Sequence, residues 1–364
     1  MSLAVTMGLK WLLKRLEWVG KVLLALFVAA VAYRPRRRAT ARARAAHPST
    51  NRALLVRVDN RVGEALLTTP LADALAAHGF EVHALVHPRV LRVLSGLPSF
   101  RRLWPFSKTW SCLRAVRAQP FDVVVNCGNW EVASVTSAMV ARLVARSAVV
   151  LGPANFPAGW LADLPVEART DTRSEVAQRA HLISPVVGLL PNPRLSFRPV
   201  QPPAHTPPAP YVVINPGGRL GFRRLPPRLF AAAAAEAHAL GLLPLVTWGP
   251  GEEALADEVL TLAPMATRAP PTDLDALAGL MSGAVATICN NTGPMHLAVA
   301  VGCPTLALFL HMDVERWGHA HAPHRMLDLT PQATSPAVVE RLVRAETRDF
   351  LLERTPGRPE RTLA

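Results

Sequence analysis

Six sets of residues in this 364-residue chain have the type and spacing to do chemistry on an anionic substrate. The strongest is the run Cys289-Asn290-Asn291-Thr292-Gly293-Pro294-Met295-His296-Leu297-Ala298. An apolar stretch, Ala284 to Cys289, enters it, and a small-residue helix is expected from about Pro294 to Val301. Pro suits a first helical turn because its missing N–H has no partner there. Asn, Thr and Gly ahead of it leave backbone donors and little bulk, so the corner is fit to hold a phosphate, with His296 as an added donor. The same residues would also make an ordinary strand–loop–helix corner capped by Thr292. A second group is Gly63-Glu64, where Gly admits a substrate and a carboxylate in a cleft can act as general base. Glu64 is equally a stabilising choice for a first helical turn. Asp59 is a further carboxylate, with the character of a turn residue. Arg219, Arg223 and Arg224 supply charge suited to a diphosphate, and Glu252 could accept from ribose hydroxyls. Asn215-Pro216-Gly217-Gly218 is a tight loop of ligand-sized clearance.

Two α/β domains are expected to position these groups. Ala53–Val58 reads as a buried strand, Arg61–Glu64 as a turn, and Ala65–His78 as a helix closed by Gly79. Glu81–His87 and Phe121–Asn126 follow as strands, and Ala154–Pro165 as an irregular loop on the acceptor side. Residues 199–210 hold six prolines in twelve positions, a stiff connector and the best domain boundary. The pattern then restarts: strand Tyr211–Ile214, helix Pro227–Leu240 closed by Gly241, strand Leu243–Thr247, helix Glu253–Leu262, helix Asp273–Met281, and strand Thr305–Phe309. Alternating strands and helices give parallel sheets, whose ligands lie at the carboxyl ends of strands. Loops 215–219, 248–252, 290–293 and 310–316 end such strands. The domains expected are an N-terminal segment 1–47, a first Rossmann-like domain 50–198, the linker 199–210, a second Rossmann-like domain 211–334, and a C-terminal helix and tail 335–364.

The net charge of +14 is unevenly spread. Residues 1–47 carry ten Lys and Arg against Glu17, which leaves only +5 for the remaining 317 residues. That localisation argues against nucleic-acid binding by the body of the protein. Lys10, Lys14, Glu17 and Lys21 form one stripe of a helix, with Trp11, Leu12, Leu13, Leu16 and Val19 covering most of the remaining surface. The uncharged run Val22–Tyr33 has twelve residues, short of the ~20 a spanning helix needs. A helix lying on an anionic membrane surface is expected, with Arg34, Arg36, Arg37 and Arg38 adding attraction. A single span and a helix docked on its own domain are the competing readings. After Tyr33, where a signal peptide would need a small-residue cleavage site, stand Arg and Pro. Cys112, Cys127, Cys289 and Cys303 lack metal-site spacing and are expected to be free thiols in a reducing compartment.

The ordered blocks carry a family likeness: Arg57 with Gly63-Glu64 and Leu67-Thr68-Thr69-Pro70, then Phe121-Asp122-Val123-Val124, Asn215-Pro216-Gly217, Arg223-Arg224-Leu225-Pro226, Gly249-Pro250-Gly251-Glu252, and Asn291 to Ala298 with Phe309 and Arg316-Trp317-Gly318. From about Leu54 to Gly318 the chain resembles family 9 glycosyltransferases, the group containing the lipopolysaccharide heptosyltransferases. The resemblance implies a GT-B fold, two Rossmann-like domains facing a cleft, and inverting transfer of a sugar without a metal or other cofactor. The donor it implies is a nucleotide-diphosphate sugar, ADP-heptose first. The acceptor would be a lipopolysaccharide-core-like or other lipid-linked glycan at the cytoplasmic face of the inner membrane.

Carried over, Glu64 is the base and Arg223 neutralises the leaving group. Gly217, Gly218, Glu252, Asn291, Thr292, Gly293, Pro294, Met295 and His296 bind the donor. Glu64 and Asn291 stand where the family has Asp, Arg223 where it has Lys, Leu225 where it has Trp, and Leu310 where it has Gly. A relative that binds sugar nucleotides or glycans without turnover is the alternative function.

Overall fold

The computed structural model describes residues 48–201, 207–218, 221 and 224–355, with scattered positions between 15 and 45. Arg223 and most of the membrane-associating helix expected over 1–47 lie outside them. No helix among the described residues is long and apolar enough to cross a membrane.

Two parallel sheets are present. The first contains β1 (Arg52–Arg57), β2 (Glu81–Val86), β3 (Phe100–Pro105), β4 (Val123–Asn126), β5 (Val149–Pro153) and β6 (Leu164–Val166). Its order is β3-β2-β1-β4-β5-β6. The second contains β7 (Tyr211–Asn215), β8 (Leu243–Val246), β9 (Thr267–Arg268), β10 (Ala286–Asn290), β11 (Thr305–Phe309) and β12 (Arg325–Asp328), in the order β12-β11-β10-β7-β8-β9. Each is the doubly wound order, growing outward on one side of its first strand and then returning to the other. The expectation of two Rossmann-like domains is met.

Central strands β1, β4, β7, β10 and β11 are buried along nearly their whole length, as sheets covered on both faces require. In the second unit the helix Pro227–Ala239 packs a nearly all-Ala face, Ala231 to Ala234 and Ala237, against sheet and neighbour. Phe230 and Phe350, both fully buried, fill the space those small side chains leave, each contributing about 1.5–3 kcal/mol by removal from water. The C-terminal helix Pro336–Leu352 joins this core through Val339, Val343, Phe350 and Leu351.

Two local expectations change. The helix expected over Ala65–His78 is two helices, Val62–Leu66 and Thr69–Ala77. Pro70 causes the break: it lacks an N–H, and its ring would collide with the carbonyl four residues back, that of Leu66. The residues expected as a turn, Arg61–Glu64, accordingly start the first of these helices. The stretch 154–165 is more regular than expected, with a 3-10 turn over Ala158–Leu161 and the start of β6.

The compact units do not follow the chain strictly. Unit 1 is Met1–Asn60, Leu67–Leu91 and Pro98–Pro193; unit 2 is Arg61–Leu66, Arg92–Leu97 and Arg194–Ala364. The short helix bearing Glu64 is therefore part of the second unit.

Candidate functional site

The second sheet reverses direction of growth between β7 and β10, so their carboxyl ends open a crevice, the usual ligand position in such sheets. The loops that follow them are 216–218 and 290–292. Asn290, fully buried, ties them together: its Nδ2 donates to Pro216 O at 2.7 Å and Gly217 O at 3.3 Å, and its Oδ1 accepts from Leu225 N at 3.0 Å. The two glycines permit the approach. A Cβ on Gly217 would lie 2.0 Å from Glu252 Oε2, and one on Gly218 would lie 2.4 Å from Thr292 Cγ2.

Glu252 holds the loops from below. Oε1 accepts from Gly218 N at 2.8 Å and pairs with Arg224 at 3.3 Å, while Oε2 accepts from Gly249 N at 3.1 Å. The carboxylate is thus partly spent on scaffolding, and Oε2 keeps a lone pair for a hydroxyl. Arg224 also donates to Gly218 O, so its guanidinium braces the loop.

The helix Gly293–Ala300 starts at this crevice, with Thr292 as an extended N-cap residue and Pro294 in the first turn. No side chain caps it. The capping-Thr alternative is therefore not what forms; the Thr292 hydroxyl has only carbonyl oxygens at 3.5 Å. An uncapped helix start presents backbone donors and partial positive charge to whatever enters. Met295 is fully buried in a small cluster with Cys289, Ala307 and Phe309, so it anchors the helix and does not face a ligand. Asn291 is 3% exposed, and its Nδ2 is buried with no hydrogen-bond partner. Leaving a buried donor unpaired costs about 1–3 kcal/mol, which an acceptor on a ligand would recover.

His296 is buried in the first turn, its Nδ1 2.7 Å from His319 Nε2. The other edge of its ring lies against the helix Val62–Leu66: a Cβ on Gly63 would come 2.9 Å from His296 Cδ2. Glu64, one residue on, is buried, with Oε1 3.3 Å from Arg61 Nη1. The second unit therefore gathers Glu64, Gly217, Gly218, Glu252, Asn291, Thr292, Gly293, Pro294 and His296. Sequence reasoning included Asn290 in the motif but passed over its tying role, Arg224's bracing role and His319. The cluster His319, His321 and His324, just beyond Arg316-Trp317-Gly318, was a readable signal for the last.

In the first unit two family-like blocks have structural work. The Asp122 carboxylate accepts from the amides and hydroxyls of Ser49 and Thr50 and from Arg52 N. Burial pushes its pKa up, but those donors outweigh it and hold the group below the usual carboxylate range. Arg57 and Arg179, both buried, donate to the Cys127 carbonyl just past β4. The four cysteines are free thiols; burial pushes Cys127 up to about 11 and Cys303 to about 12, making both poor nucleophiles.

The profile of glycosyltransferase family 9 (heptosyltransferase) matches residues 109–341. No curated protein matches the sequence. Among solved structures, a family 9 glycosyl transferase from Veillonella parvula superposes with a TM-score of 0.68 at 18% identity, covering 83% of this chain and 97% of that one. Escherichia coli heptosyltransferase WaaC, solved with ADP, gives 0.68 at 17%, covering 84% and 100%. E. coli ADP-heptose lipopolysaccharide heptosyltransferase II gives 0.67 at 18%, covering 83% and 99%. These likenesses establish the GT-B fold, and the profile spans well over half the sequence. The chain belongs to glycosyltransferase family 9, the heptosyltransferase family.

Proposed function

We propose that this glycosyltransferase moves a sugar, heptose from ADP-heptose in the first instance, onto a lipid-linked glycan of lipopolysaccharide-core type, with inversion. The observation that carries the reading is the uncapped start of helix Gly293–Ala300 at the turning point of the second sheet, with the Glu64 carboxylate in the same compact unit. The diphosphate takes the backbone donors at 292–293 and the His296 ring; Gly217 and Gly218 leave room for it, and Glu252 Oε2 accepts from the ribose. Asn291 gives its unpaired Nδ2 hydrogen to an oxygen of the donor. Glu64 takes the proton of the acceptor hydroxyl. The freed oxygen forms its bond to the anomeric carbon from the side opposite the diphosphate, and the bond from that carbon to the diphosphate oxygen breaks. Nucleoside diphosphate leaves with the electron pair. Arg223 and His296 offset its charge, so the role of a metal falls to the protein.

That the donor is an ADP-sugar is supported by WaaC having been solved with ADP and with ADP-2-deoxy-2-fluoro heptose. Attachment to the cytoplasmic face of the inner membrane is supported by the charge of residues 1–47 and by exposed apolar side chains there, Trp18, Leu23 and Phe27.

A thermal-shift screen of ADP-, GDP-, UDP- and dTDP-sugars tests the donor. At 100 times its dissociation constant the right one stabilises by about 2.7 kcal/mol. Incubation of that donor with lipopolysaccharide-core glycolipids then reads transfer. Binding of none of the four overturns the reading; binding without transfer to any acceptor favours the relative without turnover.

A further inference from the structure

We propose that His319 is the positioning residue of the donor site: through its Nε2 it fixes the ring of His296 and makes Nε2 of His296 the hydrogen donor to the diphosphate. The inference rests on the nucleotide-sugar reading above and adds to it a residue outside the motif.

The geometry is a clamp. His296 Nδ1 and His319 Nε2 are 2.7 Å apart, with the rings nearly perpendicular at 88° and both buried. The opposite edge of the His296 ring, Cδ2 and Nε2, lies 2.9 and 3.6 Å from where a Gly63 Cβ would be. The ring is thus held between an imidazole and the backbone of the helix carrying Glu64. A change in its tilt moves the phosphate donor and the base helix together.

The protons follow from the pairing. An imidazole–imidazole hydrogen bond holds one proton, so one nitrogen donates and the other accepts. His319 is kept neutral: burial lowers its pKa well below the ordinary value, and His296, His324, His321 and Arg194 push the same way. Three arrangements remain. His319 Nε2–H can donate to a neutral His296, which then carries its hydrogen on Nε2. A cationic His296 can donate from Nδ1 to His319 and still carry a hydrogen on Nε2. A neutral His296 with its hydrogen on Nδ1 would turn a lone pair toward an acceptor-only diphosphate, and that arrangement is repelled once the ligand binds. In both surviving forms the ring of His319 completes Nδ1, and Nε2 of His296 donates.

The test uses the full-length protein, ADP as probe, and two substitutions. His319→Phe keeps the ring volume and removes the nitrogen; His319→Gln places an amide near the position of Nε2. Loss of one hydrogen-bonded support predicts about a tenfold rise in the ADP dissociation constant for His319→Phe, with KM for the sugar nucleotide rising more than kcat falls. His319→Gln is expected within about threefold of wild type. Ring-nitrogen NMR on 15N-histidine-labelled protein, with His296→Gln for assignment, should show Nε2 of His296 protonated in the wild-type ADP complex. Equal ADP affinity in wild type and His319→Phe overturns the inference, as does a Gln variant no better than Phe. A spectrum with Nε2 of His296 unprotonated in the complex overturns it without any substitution at 319, so a misfolded variant does not shield it. If wild-type protein binds no ADP, the ADP-sugar reading falls and this inference falls with it. ADP binding indifferent to residue 319 sinks this inference alone.

Discussion

Glu64 lies in a five-residue helix, buried, with Arg61 3.3 Å from its carboxylate. Glu64→Gln keeps the size and most hydrogen-bonding capacity while removing basicity. Transfer should fall by about 10²–10⁴ with ADP affinity unchanged within twofold, read by initial rates and calorimetry; an undiminished rate would reassign the base. Asn291 makes the opposite case, a residue that costs the empty protein something. Its Nδ2 is buried and unpaired, so Asn291→Ala should leave the ligand-free melting temperature unchanged or higher. The same change should weaken sugar-nucleotide binding about three- to tenfold, the worth of one hydrogen bond. A loss of stability without loss of affinity would mean the amide serves the fold. At this scale the sequence was informative where function needs residues adjacent in the chain, as in 290–296. The histidine cluster 319–324 was visible in the sequence, but not that His319 pairs with His296, 23 positions away, because nothing local says which strand end the next loop folds back upon.

The elements that make the site are loops held open from behind. Asn290 and Glu252 bind the backbones of 216–218 and 249, and the glycines let those backbones reach them. Gly218→Ala would force a Cβ to 2.4 Å from Thr292 Cγ2, a short side chain at the helix start with little freedom to retreat. Overpacking of this kind costs about 1–3 kcal/mol, and here it also displaces the turn that starts the helix Gly293–Ala300, so on the proposed donor-site reading ADP affinity should drop at least about tenfold. Gly221→Ala is the control, since a Cβ there meets nothing within 4 Å. Equal behaviour of the two variants in melting and ADP titration would remove the close-approach argument. The helix starts were legible from Pro and Gly, and Gly79 and Gly241 do end their helices with positive φ. The break at Pro70 was missed because apolar spacing runs on through it, although the proline itself announces it. Edge strands β3, β6, β9 and β12 were missed for another reason. They are short or only partly covered, so their sequences lack the apolar run that marks β1 or β10.

Across the whole molecule, the restart of the strand–helix pattern after the prolines at 199–210 made two domains readable. Edge strands decide little, since β2, β1 and β4 of the first sheet and β11, β10, β7 and β8 of the second already show the pattern; β5, Val149–Pro153, was missed as well. Charge tells a separate story. The first 47 residues carry +9 and the other 317 only +5, while Trp18, Leu23 and Phe27 stand 51%, 61% and 66% exposed. Large apolar groups beside concentrated positive charge suit an anionic lipid surface. Each such side chain gains up to about 1.5–3 kcal/mol on leaving water, and each nearby cation about 1 kcal/mol, screened by salt. Replacing Trp18, Leu23 and Phe27 together by Ser in the full chain removes the apolar part and leaves the charge. Co-sedimentation with vesicles containing anionic phospholipid should weaken at least about tenfold, and the binding left should vanish at high salt. ADP affinity should stay unchanged, because none of the three belongs to the donor site. Transfer to a glycolipid embedded in vesicles should fall in step with vesicle binding, while transfer to the same glycan freed of its lipid should hold. Full vesicle binding by the triple variant would assign membrane attachment to the basic cluster alone, and loss of transfer to both acceptors would tie this segment to catalysis.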